Sequence, residues 1–199
     1  MRADVLSAAA VLLMLARCGS TPTRVFDLSP GRPSALSVAV TQARCGPLIW
    51  VDRPSVAGYF DRTQMVTRAG SNRISIHEFE VWSDPPADLI QRALVDDLAR
   101  QFGADCVMAT PVARSVTPGW LVQLDVLRFD VDDRGTAVLD ARWNLVPGGT
   151  DKRGASRRET IATTSGDAVD PDKRVMALRE AVEILAGLIG KAIAEPGPR

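Results

Sequence analysis

The chain has 199 residues, 46% of them apolar and 24% charged, and its 24 lysines and arginines balance its 24 aspartates and glutamates. That length and balance fit one globular domain with a terminal extension to spare. A net charge of zero excludes the electrostatic footprint that nucleic-acid binding by counterion release needs, so nucleic acid is not an expected partner.

The N-terminus reads "MRADVLSAAAVLLMLARCGSTPT", with Arg2 ahead of an apolar run from Val5 to Ala16. About a dozen apolar residues are too few to cross a bilayer of roughly 30 Å, but they suit the hydrophobic region of a secretory signal. Leu15-Ala16-Arg17-Cys18 resembles the bacterial lipobox, in which the cysteine thiol is lipidated and the chain cut before it. Arg17 departs from that pattern, where Gly, Ala or Ser is usual. The other reading of the segment is an ordinary signal with a chance cysteine, or an uncleaved anchor. Gly19 follows the cysteine in place of a retaining aspartate, which favours transfer to the outer membrane. Residues 1–17 are therefore expected to be a lipoprotein signal peptide, with Cys18 the lipidated residue. The run "GSTPTRVFDLSPGRPS", rich in Pro, Gly, Ser and Thr, is expected to make 18–34 a flexible tether reaching roughly 20–25 Å. Residues 35–195 are left for the folded domain.

If Cys18 is taken by lipid, Cys45 and Cys106 remain as an even pair in an oxidising compartment, either bridged or two buried thiols. No Cys-x-x-Cys or Cys/His cluster supports a metal site, and no cofactor fingerprint is present. His77, the single histidine, has no nucleophile in a recognisable motif, so it reads as structural and no catalytic residue is expected.

From residue 35 onward, "ALSVAV" and "GPLIWV" read as short strands, and "TQMVTR" and "RISIHEFEVW" as a hairpin turning at Ala69-Gly70-Ser71-Asn72. A helix follows, capped by Ser83 or Asp84, with Leu89, Ile90, Ala93, Leu94, Leu98 and Phe102 on one face and Gln91, Arg92, Asp96 and Arg100 outside, ending at Gly103. "CVMATPV" is a short strand. "WLVQLDVLRFDV" and "TAVLDARWNLV" flank Asp132-Asp133-Arg134-Gly135 as a second hairpin, with a bulge where the phase slips between Val126 and Leu127. Asp130, Asp132 and Asp133 lack the calcium-loop pattern and read as a plain turn. After "ETIATT", Asp170-Pro171 opens a helix whose stripe is Val175, Leu178, Val182, Leu185, Ile189 and Ala192, with Arg179, Glu180, Glu183 and Lys191 opposite. The fold class is α/β, a mixed sheet with helices packed against it.

The stretch "WVDRPSVAGYFDRTQMVTR" gathers aromatic and arginine side chains of the kinds enriched in protein interfaces. Tyr59, Asp61, Arg62 and Trp82 are the candidates for docking a partner. The other reading is that Tyr59 and Trp82 pack the domain and Asp61 caps a turn.

"YFDRTQMVTR" and the later "VWSDPP" resemble the PqiC-like family of auxiliary lipoproteins of ABC-type, mammalian-cell-entry (MCE) lipid transporters. Tyr59, Asp61, Arg62, Gln64, Val66, Arg68, Trp82 and Pro85 stand at matching places, and "VFDLSP" is similar to the family's Tyr-x-Leu run. The departures are Arg17 and the run Ser83 to Pro86, where Ala-Glu-Pro-Leu is usual. The resemblance implies a TolB N-domain-like layered fold and a non-catalytic outer-membrane lipoprotein facing the periplasm. Its implied partners are an MCE-domain protein and an ABC permease and ATPase, with self-association left open. A periplasmic lipoprotein adaptor in another cell-envelope assembly is the alternative.

Overall fold

Period-two and period-3.6 hydrophobic patterns alternate along the chain and become nine strands and two long helices among the described residues. The computed structural model describes residues 21–29, 45–112, 117–149 and 154–195. The chain runs β1 (Arg24–Phe26), β2 (Ile49–Val51), β3 (Ser55–Val56), β4 (Gln64–Ala69), β5 (Arg73–Trp82), α1 (Pro86–Phe102), β6 (Val107–Ala109), β7 (Trp120–Asp132), β8 (Thr136–Pro147), β9 (Ser156–Thr164) and α2 (Pro171–Ala194). Cys18 and the strand expected at 35–40 lie outside the described residues.

The sheet is mixed and is built around β7. One edge of β7 pairs antiparallel with β8, which pairs antiparallel with β9. The other edge is shared end to end by three parallel neighbours: β2 against Trp120–Val122, β3 against Asp125 and Val126, and β4 against Val131 and Asp132. β6 extends the sheet beyond β2, and β5 with β1 extends it beyond β4. The expected bulge is present, since the β7–β8 register shifts between Val126 and Arg128 and leaves Leu127 as the extra residue.

Ala137, Leu139, Ala141, Trp143 and Leu145 alternate along β8 and are all buried, as the period-two pattern requires. Helix α2 covers them, contributing Leu178, Val182, Leu185 and Ile189, and α1 contributes Leu89, Ile90, Ala93, Leu94 and Leu98 to the same core. α2 starts as expected: Asp170 is its N-cap, its carboxylate accepting from the Asp172 amide at 3.0 Å, and Pro171 occupies the first turn.

Several expectations are corrected. α1 has Pro85 as its N-cap with no side-chain cap; Ser83 donates instead to Asp27, and Asp84 accepts from Arg92. Gln91 is not on the outside. Its amide is buried and donates to the carbonyls of Val51 and Thr110, tying α1 to β2 and to the segment after β6. Arg179 is not on the outer face of α2, because it pairs with the buried carboxylate of Asp97 on α1, to which Arg100 is also bonded. The flexible tether is corrected as well. Residues 24–26 form β1, parallel to β5, and Phe26 and Leu28 reach the core, so the folded domain begins well before residue 35.

Cys45 and Cys106 are joined, with Cα atoms 5.4 Å apart and a separation of 61 positions in sequence. The bridge ties the approach to β2 to the start of β6, and closing a loop of that length is worth about 4 kcal/mol in the chain-entropy view.

Gly135 closes the β7–β8 turn in the left-handed region, at φ 79°, and a Cβ there would stand 2.7 Å from Ser165 Oγ. Gly135→Ala is therefore expected to destabilise by about 1–3 kcal/mol through backbone strain and contact with the Ser165–Ala168 loop. Urea unfolding of the variant is the check.

Candidate functional site

The stretch singled out in sequence spans the end of β2, β3, the turn before β4, and β4 itself. Its side chains divide into an inner and an outer set. Trp82, at the end of β5, belongs to the inner set: it is 6% exposed, and its ring centroid lies 6.3 Å from that of Phe129. A docking role through direct contact is therefore corrected for Trp82, whose apolar surface is already spent in the core. Phe60 also packs on Phe129, with centroids 6.1 Å apart.

Tyr59 is half-buried and anchored from its hydroxyl. It donates to Asp130 Oδ2 at 2.7 Å and accepts from the Phe129 amide at 3.2 Å, while its ring carries the Arg68 guanidinium at 5.5 Å. Burial, reinforced by the hydrogen bond to Asp130, pushes its pKa up to about 12, so the phenol keeps its proton under physiological conditions.

Asp130 is the centre of this arrangement. It is fully buried on β7, and Arg68 Nη2 and Nε reach its Oδ2 at 3.1 and 3.2 Å, while Arg128 Nε donates to its Oδ1 at 2.9 Å. Burial works against the charge on Arg68, but its hydrogen bonds to Asp130, the attraction of that carboxylate and the contact with Tyr59 together outweigh it and hold the guanidinium above its usual pKa. A buried carboxylate is tolerable only when its oxygens are taken in this way.

Reading Asp130 as part of a turn is corrected here. Asp132 and Asp133 do belong to the turn: Asp132 accepts from the amides of Arg134 and Thr136, and Asp133 accepts from the Gly70 amide. Residues 62 and 71 positions apart in sequence thus converge on one oxygen. Nothing local in the sequence points to that pairing. The available signal was that Tyr59 and Arg68 belong to one short polar and aromatic run.

Asp61 and Arg62 form the outer set. Asp61 is exposed, and Arg62 is half-buried with its amide donating to the Phe60 carbonyl at 2.8 Å and its enclosed Nε left without a partner. The backbone holds both in place from behind, because the Trp82 amide donates to the Thr63 carbonyl at 2.7 Å.

Beyond Asp130 the surface opens into a polar groove of about 830 Å³ between the β4–β5 and β7–β8 turns. Arg68, Arg128, Arg134 and Arg158 line it, with Asp132, Asp133 and Asp140 between them. Arg158 makes a two-pronged contact with Asp140 at 2.9 and 2.6 Å, and that hydrogen bonding draws the Asp140 carboxyl below its usual pKa. His77 sits elsewhere, between Thr67 and Arg174, with Glu80 beside it, and burial lowers its pKa. The chemistry on view is that of charge-balanced clusters that fix backbone.

The sequence profile described as the ABC-type transport auxiliary lipoprotein component matches residues 26–190, from the end of β1 to the last turns of α2. The chain belongs to this family. Among solved structures, it is similar to an uncharacterised protein at 16% identity and a TM-score of 0.71, covering 87% of this chain and 99% of that one. A Xanthomonas campestris protein of the DUF330 family superposes with a TM-score of 0.61 at 23% identity, covering 74% and 84%. These likenesses show the fold, a curled mixed sheet with two helices on it. No curated protein matches the chain. Among the described residues, no helix is long and apolar enough to cross a membrane.

Proposed function

We propose that this member of the family is a non-catalytic component of an MCE-type ABC transport system that moves lipids between membranes and supports envelope integrity. In this reading Cys18 carries the lipid anchor in the outer membrane, the domain faces the periplasm, and the partners are the MCE-domain protein and the system's permease and ATPase. The family match across the whole folded domain carries the proposal. The commitment of Asp130, Asp97 and Asp140 to arginines supports a structural use of the charged clusters.

Within that reading, the outer set of the signature stretch, Asp61 and Arg62, is the part that meets the MCE partner. Tyr59 and Trp82 hold it from inside. A docking strip backed by a rigid core presents its charges with little ordering cost on association.

Cys18→Ser is expected to release the protein from the membrane fraction into the soluble periplasm, and the wild-type chain is expected to take up a radiolabelled fatty acid. Pull-down with the wild-type lipoprotein is expected to capture the MCE-domain protein. A wild-type chain that takes up no fatty acid would overturn the anchor, and capture of other envelope proteins in place of the MCE-domain protein would overturn the transport assignment.

A further inference from the structure

The outer edge of β5 is only partly covered. β1 pairs with Glu80, Val81 and Trp82 alone, so among the described residues Arg73 to Phe79 have no strand on that side. Large apolar side chains stand exposed beside this open edge: Val25 on β1, 64% exposed, and Ile76 and Phe79 on β5, 45% and 50% exposed. Val25 is the register partner of Val81, and Phe79 lies two positions before Val81. The exposed groups therefore sit on neighbouring strands.

The course of the chain indicates what covers this edge. β1 runs parallel to β5, so its Arg24 end faces Glu80 and its Phe26 end faces Trp82. Cys18 is six residues before Arg24. Six residues span at most about 20 Å even when fully extended, which is close to the roughly 23 Å that β5 itself covers from Glu80 to Arg73. A lipid on Cys18 thus brings the bilayer surface within that distance of β1.

We propose that the β1–β5 edge, through Val25, Ile76 and Phe79, is a second and non-covalent membrane contact that seats the protein edge-on upon the phospholipid surface. The inference rests on the reading of Cys18 as the lipid anchor. The open edge also sets the depth of the contact. Unpaired backbone amides and carbonyls cannot enter hydrocarbon, so the strand stays among headgroups and water while only the apolar side chains reach the acyl boundary. Arg73, exposed at one end of the edge, has the long aliphatic stem and charged head suited to that level.

The test uses the full lipidated protein reconstituted in phosphatidylethanolamine and phosphatidylglycerol vesicles, with brominated acyl chains as a fluorescence quencher. Two variants each add one exposed tryptophan: Phe79→Trp at the edge and Met176→Trp on the outer face of α2, where Met176 is exposed. The emission added by Phe79→Trp is expected to fall about twofold or more in brominated vesicles, and that added by Met176→Trp to stay nearly unchanged. Fatty-acid labelling of the same samples separates the two layers of the argument. Labelled protein whose Phe79→Trp emission is unquenched overturns the membrane contact and leaves the anchor standing. Quenching at position 176 in place of 79 overturns it in favour of the helical face. Protein that takes up no fatty acid overturns the anchor, and the contact falls with it.

Discussion

Asp130→Ala is expected to destabilise the domain by about 3–5 kcal/mol, the range for removing one partner of a buried ion pair. For a chain of this size that lowers the melting temperature by on the order of 10 °C. The carboxylate is fully buried and receives two guanidinium groups and a phenol, so its loss strands three donors at once. The arginines soften the effect. The Arg68 and Arg128 side chains are 21% and 30% exposed and can turn partly to water, which places the expected value at the lower end of the range. Tyr59 has no such outlet, since its hydroxyl is held between Asp130 and the Phe129 amide.

Asp130→Asn keeps the shape and one acceptor and is expected to cost about half as much, while Tyr59→Phe removes two hydrogen bonds, one given to Asp130 and one taken from the Phe129 amide, and should cost about 1–2 kcal/mol. Urea unfolding of the three variants is expected to show Asp130→Ala as the most destabilised, with Asp130→Asn and Tyr59→Phe each costing less. If Asp130→Ala shifts the midpoint no more than an ordinary surface substitution, the cluster contributes nothing to the fold and its arginines are free for another purpose.

The readable and unreadable parts of this chain separate along one physical line. The β7–β8 hairpin was legible because its signal is local: period-two alternation in both arms, a glycine able to take positive φ between them, and a phase slip that marks the bulge. The two helices were legible from their apolar stripes. What the stripes did not disclose is which polar residues on their flanks are drawn inward by partners far along the chain. Gln91 is buried because its amide finds the carbonyls of Val51 and Thr110, and Arg179 because it pairs with Asp97 on the other helix.

β1 escaped for the same reason. It is three residues long within a segment rich in Pro, Gly and Ser, and it is a strand only because β5, 56 residues later, offers it an edge. In the candidate site, residue types that suit an interface also suit a cluster around a buried acid. The run from Tyr59 to Arg68 announced that something was recognised, and much of what those residues recognise is Asp130 of the same chain.

Trp82→Ala is expected to cost about 3–5 kcal/mol, because a buried aromatic removed from a close-packed core leaves a cavity that its surroundings fill only in part. Phe129 borders that space and packs in turn on Phe60, which immediately precedes Asp61 and Arg62. A partner-binding defect in this variant would therefore be indirect, following from a displaced strip. Arg62→Glu is the complementary substitution. Arg62 is half-buried and makes no ion pair among the described residues, so reversing its charge is expected to change stability by less than about 1 kcal/mol. If Arg62 docks the MCE partner as proposed, the same reversal places like charges together and is expected to weaken capture of that partner. The pair of variants thus predicts opposite profiles: Trp82→Ala with a low melting temperature, and Arg62→Glu with a near-normal melt but weak capture of the partner. Calorimetry and pull-down on the same preparations read both. A stable Arg62→Glu protein that captures the MCE partner as the wild type does would remove this strip from the interface and leave the geometry around Asp130 with a purely structural role.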